Sequence, residues 1–585
     1  MNIQNIIRHI VAKKYTVPQL EKAAPALERF SVTEKLIFGF FFVLAGIASV
    51  VLLFQVNKSF LVAIPTHGGT LIEGIVGLPR FINPLLAISD ADKDLAALVY
   101  SGLMKATPTG ELVADLAESM SISPDGKVYT FIIKDNAAFH DGAPVTAKDV
   151  AFTIETAKDP LLKSSKRANW EGVEVEVVGE KEIRFILKQP YAPFLENTTL
   201  GILPKHAWKN ATADQFAFSN FNIYPVGSGP YAVESVKRDG SGLPIRYSLK
   251  SVKRYDMPGP YINRIVISFY ANEEELVKAY RKGAIEAING ISPNVARAIE
   301  SEGGQVLHTP LPRVFGVFFN QNQQSLFTEK PVRQALDISL SKERIINEVL
   351  EGYAVAINGP IPTINAAKEN SLLATSSAEV AIALLGKNGW KMGEDGVMGK
   401  KGKKLSFSIS TSNIPELKAT AEIIREEWEK IGAQVEIKIF ESGDLNQNVI
   451  RPRKYDALLF GEIVGRDLDL YPFWHSSQRN DPGLNIALYA NITADKLLES
   501  SRTTLNVAER EIQYEKFQKE ILSDVPAVFT YAPEFIYVVS PRVKNIVLGK
   551  VTAPHERFLG IENWYIETEQ VWQFFARNQS PATTQ

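Results

Sequence analysis

The 585-residue chain contains no cysteine. That excludes disulfide scaffolds, thiolate zinc sites, iron–sulfur clusters and cysteine nucleophiles. It also excludes the acylated cysteine that tethers a bacterial lipoprotein. Histidine is scarce, with His9, His67, His140, His206, His308, His475 and His555 the full set. No two stand at the helical spacing of metal ligands. A Gly-x-Ser-x-Gly elbow is lacking. The nearest lookalike of a phosphate loop, Gly399-Lys400-Lys401, has neither the hydroxyl residue nor the upstream glycine, and reads as a basic hairpin turn. Nor is one sign of charge in excess. The 64 Lys and Arg balance 66 Asp and Glu for a net −2, so no basic field invites a nucleic-acid backbone. Repeats and long low-complexity tracts are missing, and only the tail after Ala576 reads as disordered. What remains is a globular composition, 45% hydrophobic and 22% charged, with length for about four units.

One stretch stands apart. Leu36–Val56 is uncharged and apolar throughout. At a rise of ~1.5 Å per residue it spans about 31 Å, the thickness of a bilayer's hydrocarbon core. Residues 1–35 carry Arg8, Lys13, Lys14, Lys22, Arg29 and Lys35 against three Glu, whereas Lys58 is the last cation until Arg80. The positive-inside rule places residues 1–35 in the cytoplasm and the rest outside. A cleaved signal peptide would have a shorter apolar run, a shorter lead-in and a small-x-small cleavage site. We therefore expect a retained anchor over 36–57. The stretch Val17–Phe30 has one apolar helical face and suits either the inner membrane surface or a plain cytosolic helix. Beyond Lys58 the chain holds 57 Lys and Arg against 63 Asp and Glu, a mild −6 that favours solubility and selects no ligand.

The exterior part alternates strand and helix irregularly. Val128–Ile133 reads as a strand after the turn Ser123-Pro124-Asp125-Gly126. Thr146, with Asp149 three residues on, reads as a capping box opening a helix. Leu405–Thr411 is a predicted strand and 415–431 a helix with Leu417, Ala421, Ile424, Trp428 and Ile431 on one face. Gly432 is its stop, and Gln434–Phe440 a second strand. A crossover of that length implies parallel pairing. The run Val314–Asn320 reads as an aromatic strand, with helices around Val332–Leu340 and Lys342–Leu350 after it.

Several segments together resemble the family 5 extracellular solute-binding proteins, the peptide-binding subunits of ATP-driven importers. They are LVADLAESMSISPDGKVYTFIIKDNAAFHDGAPVTAKDVAFTIE at 112–155, PVGSGPYAVES at 225–235 and VRQALDISLSKERIINEVLEGYA at 332–354. KLSFSISTSNIPELKATAEIIREEWEKIGAQVEI at 404–437, RKYDALLFG at 453–461 and LYPFWHSSQRNDPGLNIALYANITADKLLE at 470–499 continue the pattern in order. The resemblance implies an α/β, two-lobed periplasmic-binding-protein-like clamshell of three structural domains, preceded by one transmembrane helix. Domain I would comprise 66–103, 223–310 and 535–575, domain II 104–222, and domain III, the second lobe, 311–534. It further implies no enzyme activity and no cofactor. The implied partners are a peptide or peptide-like solute, the permease of an ABC transporter, and the membrane through Leu36–Val56. An anchored ligand-sensing or docking protein of the same fold, without direct transport, is the alternative. An extracellular hydrolase lacks a nucleophile–base set.

The resemblance places the ligand between the lobes, its main chain held as an added strand and its side chains in hydrated pockets. In relatives an aspartate holds the peptide's amino group. The corresponding loop here, Gly461 to Asp469, departs from the family's Trp-x-x-Asp and Asp-Pro-Asp pattern. Asp467 and Asp469 occupy the later acidic pair with Leu468 in place of Pro, and the earlier acidic position falls near Val464, with Glu462 the one nearby acid. Glu462 or Asp467 would then meet the amino group and Arg466 a carboxylate, unless all are solvated loop charges. Trp474 is expected as a cleft wall or a core residue. Gly74 and Ile75, following the first strand, and Phe319 and Asn320, ending another, are further cleft candidates; a packed Phe319 is the alternative. Gly227 and Gly229, in the Gly-Ser-Gly-Pro that replaces the family's Gly-Thr-Gly-Pro, form either a hinge or a turn needing positive φ. His140, in the family's Phe-x-Asp-Gly turn, reads as structural.

Overall fold

The computed structural model describes residues 30–253, 259–362 and 377–576. The Val17–Phe30 face and the tail after Ala576 fall outside the described residues, apart from Phe30 itself. The chain divides into two compact units, Met1–Thr66 with Thr568–Gln585, and His67–Glu567.

In the first unit a helix runs from Val32 to Phe60. It is four residues longer at each end than the uncharged run, and Ser31 caps its start. The Ser31 side chain accepts from the Glu34 N–H, and the Glu34 carboxylate accepts from the Ser31 N–H at 2.8 Å. No residue of this helix is buried. The strand Leu61–Pro65 follows it directly and pairs antiparallel with Thr568–Trp572. The resemblance would have put the latter strand in domain I. It shares a compact unit with the long helix, because its partner is the strand that leaves that helix.

The second unit is built on a twelve-stranded mixed sheet. Its strand β1 (Thr70–Val76) lies parallel to Arg264–Tyr270, where the meander Tyr231–Arg238, Pro244–Ser251, Arg264–Tyr270 ends. Helix α1 (Asp90–Val99) follows β1, capped by Ser89 and Asp92. Helix α2 (Ala147–Lys158) covers a separate four-stranded sheet that includes Val128–Ile133. The predicted capping box opens it, with the Asp149 carboxylate accepting from Thr146 N at 2.9 Å.

Strand β2 (Arg313–Phe319) begins the other half of the sheet. Next come β3 (Ser406–Ser412), α3 (Pro415–Glu429) and β4 (Gln434–Phe440), the expected strand–helix–strand, with β3 and β4 parallel from Ser406↔Gln434 to Ser412↔Phe440. Gly432 ends the helix at φ 81°, a left-handed conformation that glycine takes without strain. Strand β5 (Ala457–Ile463) pairs with β2 and β3.

The last strand, β6 (Ala527–Val539), joins the halves. Its residues 527–531 pair with β2, whereas 534–538 pair with Val306–Pro310 and 537–539 with Ala287–Asn289. The cores change along it. Val528 and Tyr531 pack with Val317, Phe319 and Trp428, while Phe535, Tyr537 and Val539 pack with Leu71, Ile265 and Ile267. The result is a two-lobed α/β clamshell. The chain crosses between lobes around Leu311, whose N–H donates to Pro533 O at 2.9 Å.

Candidate functional site

Helix α1 borders a cavity of about 420 Å³ in the first lobe. Lys93 comes from α1 and Tyr100 from the residue after it. Lys166 and Glu196 come from the region of the four-stranded sheet, and His555 and Glu556 from the segment after β6. A buried ion network fixes these elements to one another. Arg557, fully buried, donates from Nη1 and Nη2 to the Asp94 carboxylate at 2.8 and 2.7 Å, and from Nε to Glu73 Oε1 at 2.8 Å. Tyr537 donates to Glu73 Oε2 at 3.2 Å. Since a buried charge is costly unless paired and hydrogen-bonded, this bidentate fork locks α1, β1, β6 and residues 554–557 together and sets His555 and Glu556 at the cavity wall.

The cavity's charges are unequally satisfied. Lys105 pairs with Glu562 at 2.8 Å. The ammonium groups of Lys93 and Lys166 have no ion-pair or hydrogen-bond partner among the described residues. Burial, then Lys93 nearby, lowers the Lys166 pKa, and Glu196 partly restores it. The Tyr100 hydroxyl and His555 Nδ1 are buried without hydrogen-bond partners. Burial lowers the His555 pKa, which favours the neutral ring.

The second lobe closes on this cavity through the loop after β5. Arg466, with a side chain 7% exposed, sets Nη2 2.8 Å from Glu556 Oε1 and Nε 3.4 Å from Glu196 Oε1. The first contact is an ion pair whose angle misses hydrogen-bond geometry, since Nη2 has no hydrogen-bond acceptor. Nη1 donates to Lys550 O at 3.3 Å. Glu196 is pushed up to about 7, chiefly by burial, with Asp467 and Glu556 adding to the shift and Arg466 opposing it. Asp467 is pushed up to about 6 by burial, against Arg510 and Arg466, and its Oδ2 is buried without a partner. Asp469 completes the contact by accepting from Tyr191 Oη at 3.0 Å and from Arg502 Nη2 at 2.9 Å. Arg502 lies over the rings of Tyr471 and Tyr191, at 4.4 and 5.2 Å.

A second cavity of about 500 Å³ lies where the lobes cross, with Asp90 of α1 on one side and Arg313, Phe315, Glu416 and Tyr531 on the other. Phe315 and Tyr531 stack at 5.0 Å. The Arg313 Nε is buried without an acceptor. Burial lowers the Arg313 pKa, and Asp90 opposes that shift.

Of the residues singled out from the sequence, Arg466, Asp467 and Asp469 meet at the lobe contact, and they are not solvated loop charges. Others lie elsewhere. Trp474 is fully buried beside Phe318 and Phe529. Glu462 is buried with it. Its carboxyl has no hydrogen-bond partner, and burial holds its pKa well above the ordinary range, with only the Trp474 indole opposing. Phe319 packs between Phe327 and Trp428. Asn320 caps its own turn, accepting from Asn322 N and Gln323 N at 3.1 and 3.0 Å. Gly74 and Ile75 are internal to β1, where a Cβ on Gly74 would meet Ile285 and Leu276 at 2.4 and 2.5 Å. Their close neighbours are core side chains. Gly227 and Gly229 lie within the first lobe, and neither has positive φ. They are glycines for closeness, because a Cβ on Gly227 would stand 2.0 Å from Val99 O. His140 holds this turn, with Nε2 3.0 Å from Gly229 O.

Lys93, Lys166, Glu196, Arg313, His555 and Glu556 were not singled out by sequence. They come from five separate stretches of the chain between residues 93 and 556, and only the fold assembles them.

Comparison with known proteins agrees with this architecture. Residues 111–482 match the model of the bacterial extracellular solute-binding proteins, family 5. The oligopeptide-binding protein AppA of Bacillus subtilis is 29% identical over 525 residues, covering 86% of this chain and 92% of its own. The dipeptide-binding protein of Escherichia coli K12 is 24% identical over 528 residues, covering 86% and 96%. Among solved structures, NikZ of Campylobacter jejuni in complex with Ni(L-His) is similar, at 27% identity and TM-score 0.65, covering 85% of this chain and 99% of that one. So is Bacillus subtilis AppA with a nonapeptide, at 26% and 0.64, covering 86% and 100%. The match over most of the chain, with the two-lobed fold, makes this protein a member of the family 5 bacterial extracellular solute-binding proteins, which bind solutes and do not transform them.

Proposed function

We propose that the protein captures a peptide or peptide-like solute between its lobes and hands it to the permease of an ABC importer. It would do so outside a membrane that Leu36–Val56 spans, with residues 1–35 on the cytoplasmic side. Domains I, II and III follow the boundaries implied by the resemblance, with domain I ending before Thr568.

One observation carries the reading. The carboxylates of Glu196 and Glu556 are matched by Arg466 from the opposite lobe, while the Lys93 and Lys166 ammonium groups in the same cavity make no hydrogen bond or close ion pair among the described residues, Glu196 facing Lys166 only at longer range. Two ammonium groups without a hydrogen-bonded partner in a partly desolvated cavity suit an anionic group of the ligand, such as a peptide carboxylate. Arg313 offers a second anion contact one turn of α1 away, beside Asp90. A zwitterionic, extended solute fits this alternation of charge. The names of relatives, which bind oligopeptides and dipeptides, support the same class. The ligand-sensing alternative is not favoured by the family match.

The test is calorimetric titration of the purified chain with di- to nonapeptides, comparing the natural protein with Lys93→Ala/Lys166→Ala. The double variant is expected to weaken binding at least ~10-fold, about 1.4 kcal/mol. Equal affinity for both proteins would refute the assigned anion contact.

A further inference from the structure

Leu61–Pro65 follows the long helix without a linker and pairs with Thr568–Trp572 in a fixed register. Leu61 stands opposite Trp572, and Pro65 opposite Thr568. The C-terminal strand therefore runs back toward the helix end, and Trp572 is level with the first residue after the helix. A short helix, Gln573–Ala576, continues from there.

The level of this pair follows from helix geometry. With Leu36–Val56 filling the hydrocarbon, the four residues to Phe60 add about 6 Å at ~1.5 Å each. The headgroup layer adds roughly 6 Å per leaflet to the ~30 Å core. Leu61 and Trp572 thus fall at the outer part of the headgroup layer, where a Trp ring sets an apolar body toward the acyl chains and its N–H toward water, and where Phe adds apolar surface alone. The side chains at this level are large and apolar, and they face outward. Phe60 is 53% exposed, Trp572 52% and Phe574 78%. Lys58, in the helix's last turn, supplies a cation for lipid phosphates.

We propose that Trp572 and Phe574 form a second membrane contact, seated at headgroup level in the bilayer that Leu36–Val56 spans. The proposal rests on that spanning reading. The occupant of this apolar face is lipid, because the face is continuous with the end of the spanning helix. The chain enters the binding unit at His67 and leaves it at Glu567, so both ends lead into the strand pair. The anchor is then a helix with a two-stranded, aromatic collar, joined to the binding unit by two connections.

Because the chain has no cysteine, one introduced thiol gives a unique label. Four full-length variants, Leu44→Cys, Phe218→Cys, Phe574→Cys and Gln573→Cys, would carry an environment-sensitive fluorophore in phosphatidylcholine–phosphatidylglycerol nanodiscs. Quenchers would be lipids spin-labelled near the headgroup or deep in the chain. The Leu44 probe should respond to the deep quencher and the Phe218 probe to neither. The probes at 573 and 574 should respond at least twofold more strongly to the shallow quencher than to the deep one. Adding Trp572→Ser and Phe574→Ser to the Gln573→Cys protein should abolish its response. Probes at 573 and 574 that behave like the one at 218, while Leu44 is quenched, would overturn the membrane contact and leave the spanning helix standing. An unquenched Leu44 probe would overturn the spanning reading itself and the contact with it. Shielding of 573 and 574 from water without lipid quenching would point to a protein partner and also overturn the proposal.

Discussion

Arg466 Nη2 lies 2.8 Å from Glu556 Oε1, a contact that joins the two lobes. The same guanidinium faces Glu196 Oε1 at 3.4 Å. A solute that enters between the lobes requires this contact to open and reform. Truncating one partner of a desolvated pair costs mostly because the other partner is left buried and alone. Arg466→Ala should therefore weaken ligand affinity ~10- to 100-fold, about 1.4–2.8 kcal/mol. Arg466→Lys should recover only part, since a single ammonium cannot face two carboxylates as a planar fork does. Titration calorimetry on the three proteins measures this, and unchanged affinity in Arg466→Ala would remove Arg466 from the closing contact.

Closure should be linked to protons. In the closed form Glu196 is raised to about 7 from an ordinary 4.5, and Asp467 to about 6 from 3.8. Arg466, Glu556, Asp467 and Lys166 face Glu196, whereas Arg510, Arg466 and Asp469 face Asp467. A carboxyl with a raised pKa holds its proton more tightly in the closed state, so closing is opposed above about pH 7. That opposition fades as pH falls toward the ordinary carboxyl values. For a ligand that does not itself titrate there, affinity should rise from about pH 7.5 to about pH 5.5, and binding at about pH 6.5 should take up protons. Glu196→Gln should flatten most of the profile. Calorimetry in buffers of different ionisation enthalpy reads the uptake directly, and a profile that falls with acidification would contradict the assignment.

The network under the cavity should matter more for stability than for ligand choice. Arg557→Ala leaves Asp94 and Glu73, both buried, without their cation. A loss of about 3–5 kcal/mol is expected, visible as a lower midpoint in chemical denaturation. A volume-matched Arg557→Met/Asp94→Asn/Glu73→Gln protein should recover part of it. A midpoint for Arg557→Ala equal to that of the natural chain would mean the network contributes little.

Gly227 offers a sharper steric test. A Cβ there would stand 2.0 Å from Val99 O, whereas one on Gly179 meets nothing within 4 Å. Gly227→Ala should cost about 1–3 kcal/mol by forcing the turn off α1, while Gly179→Ala should be close to neutral. Thermal unfolding of both variants decides it.

Much of the fold was legible because its signals are local. The capping residues Thr146 and Asp149, the helical stripe on 415–429, Gly432 and the alternating Gln434–Phe440 each act within a few residues, and each element formed within a residue or two of its expected limits. Placement of side chains relative to a cleft is a different matter. Val314–Phe319 is apolar at almost every position, the mark of a strand buried on both faces, and the packed Phe319 of the structure fits that pattern better than the cleft position expected for it. Trp474 sits amid Phe473, Leu470 and Tyr471, a context equally suited to a wall or a core, and packing decided for the core. Glu196, Lys166 and Glu556 have no local pattern at all. Their meaning comes from Arg466, 270 residues beyond Glu196 in the chain.

The central claim is that a peptide-like solute is bound between the lobes. It is tested most directly by native mass spectrometry of the full-length protein released from nanodiscs after incubation with a peptide library, followed by thermal shift with each peptide retained. The account predicts a one-to-one adduct of peptide mass, lost in Lys93→Ala/Lys166→Ala. It also predicts stabilisation near 2.7 kcal/mol when peptide stands at ~100 times its dissociation constant. A protein that retains no peptide and shows no shift across the library would contradict it.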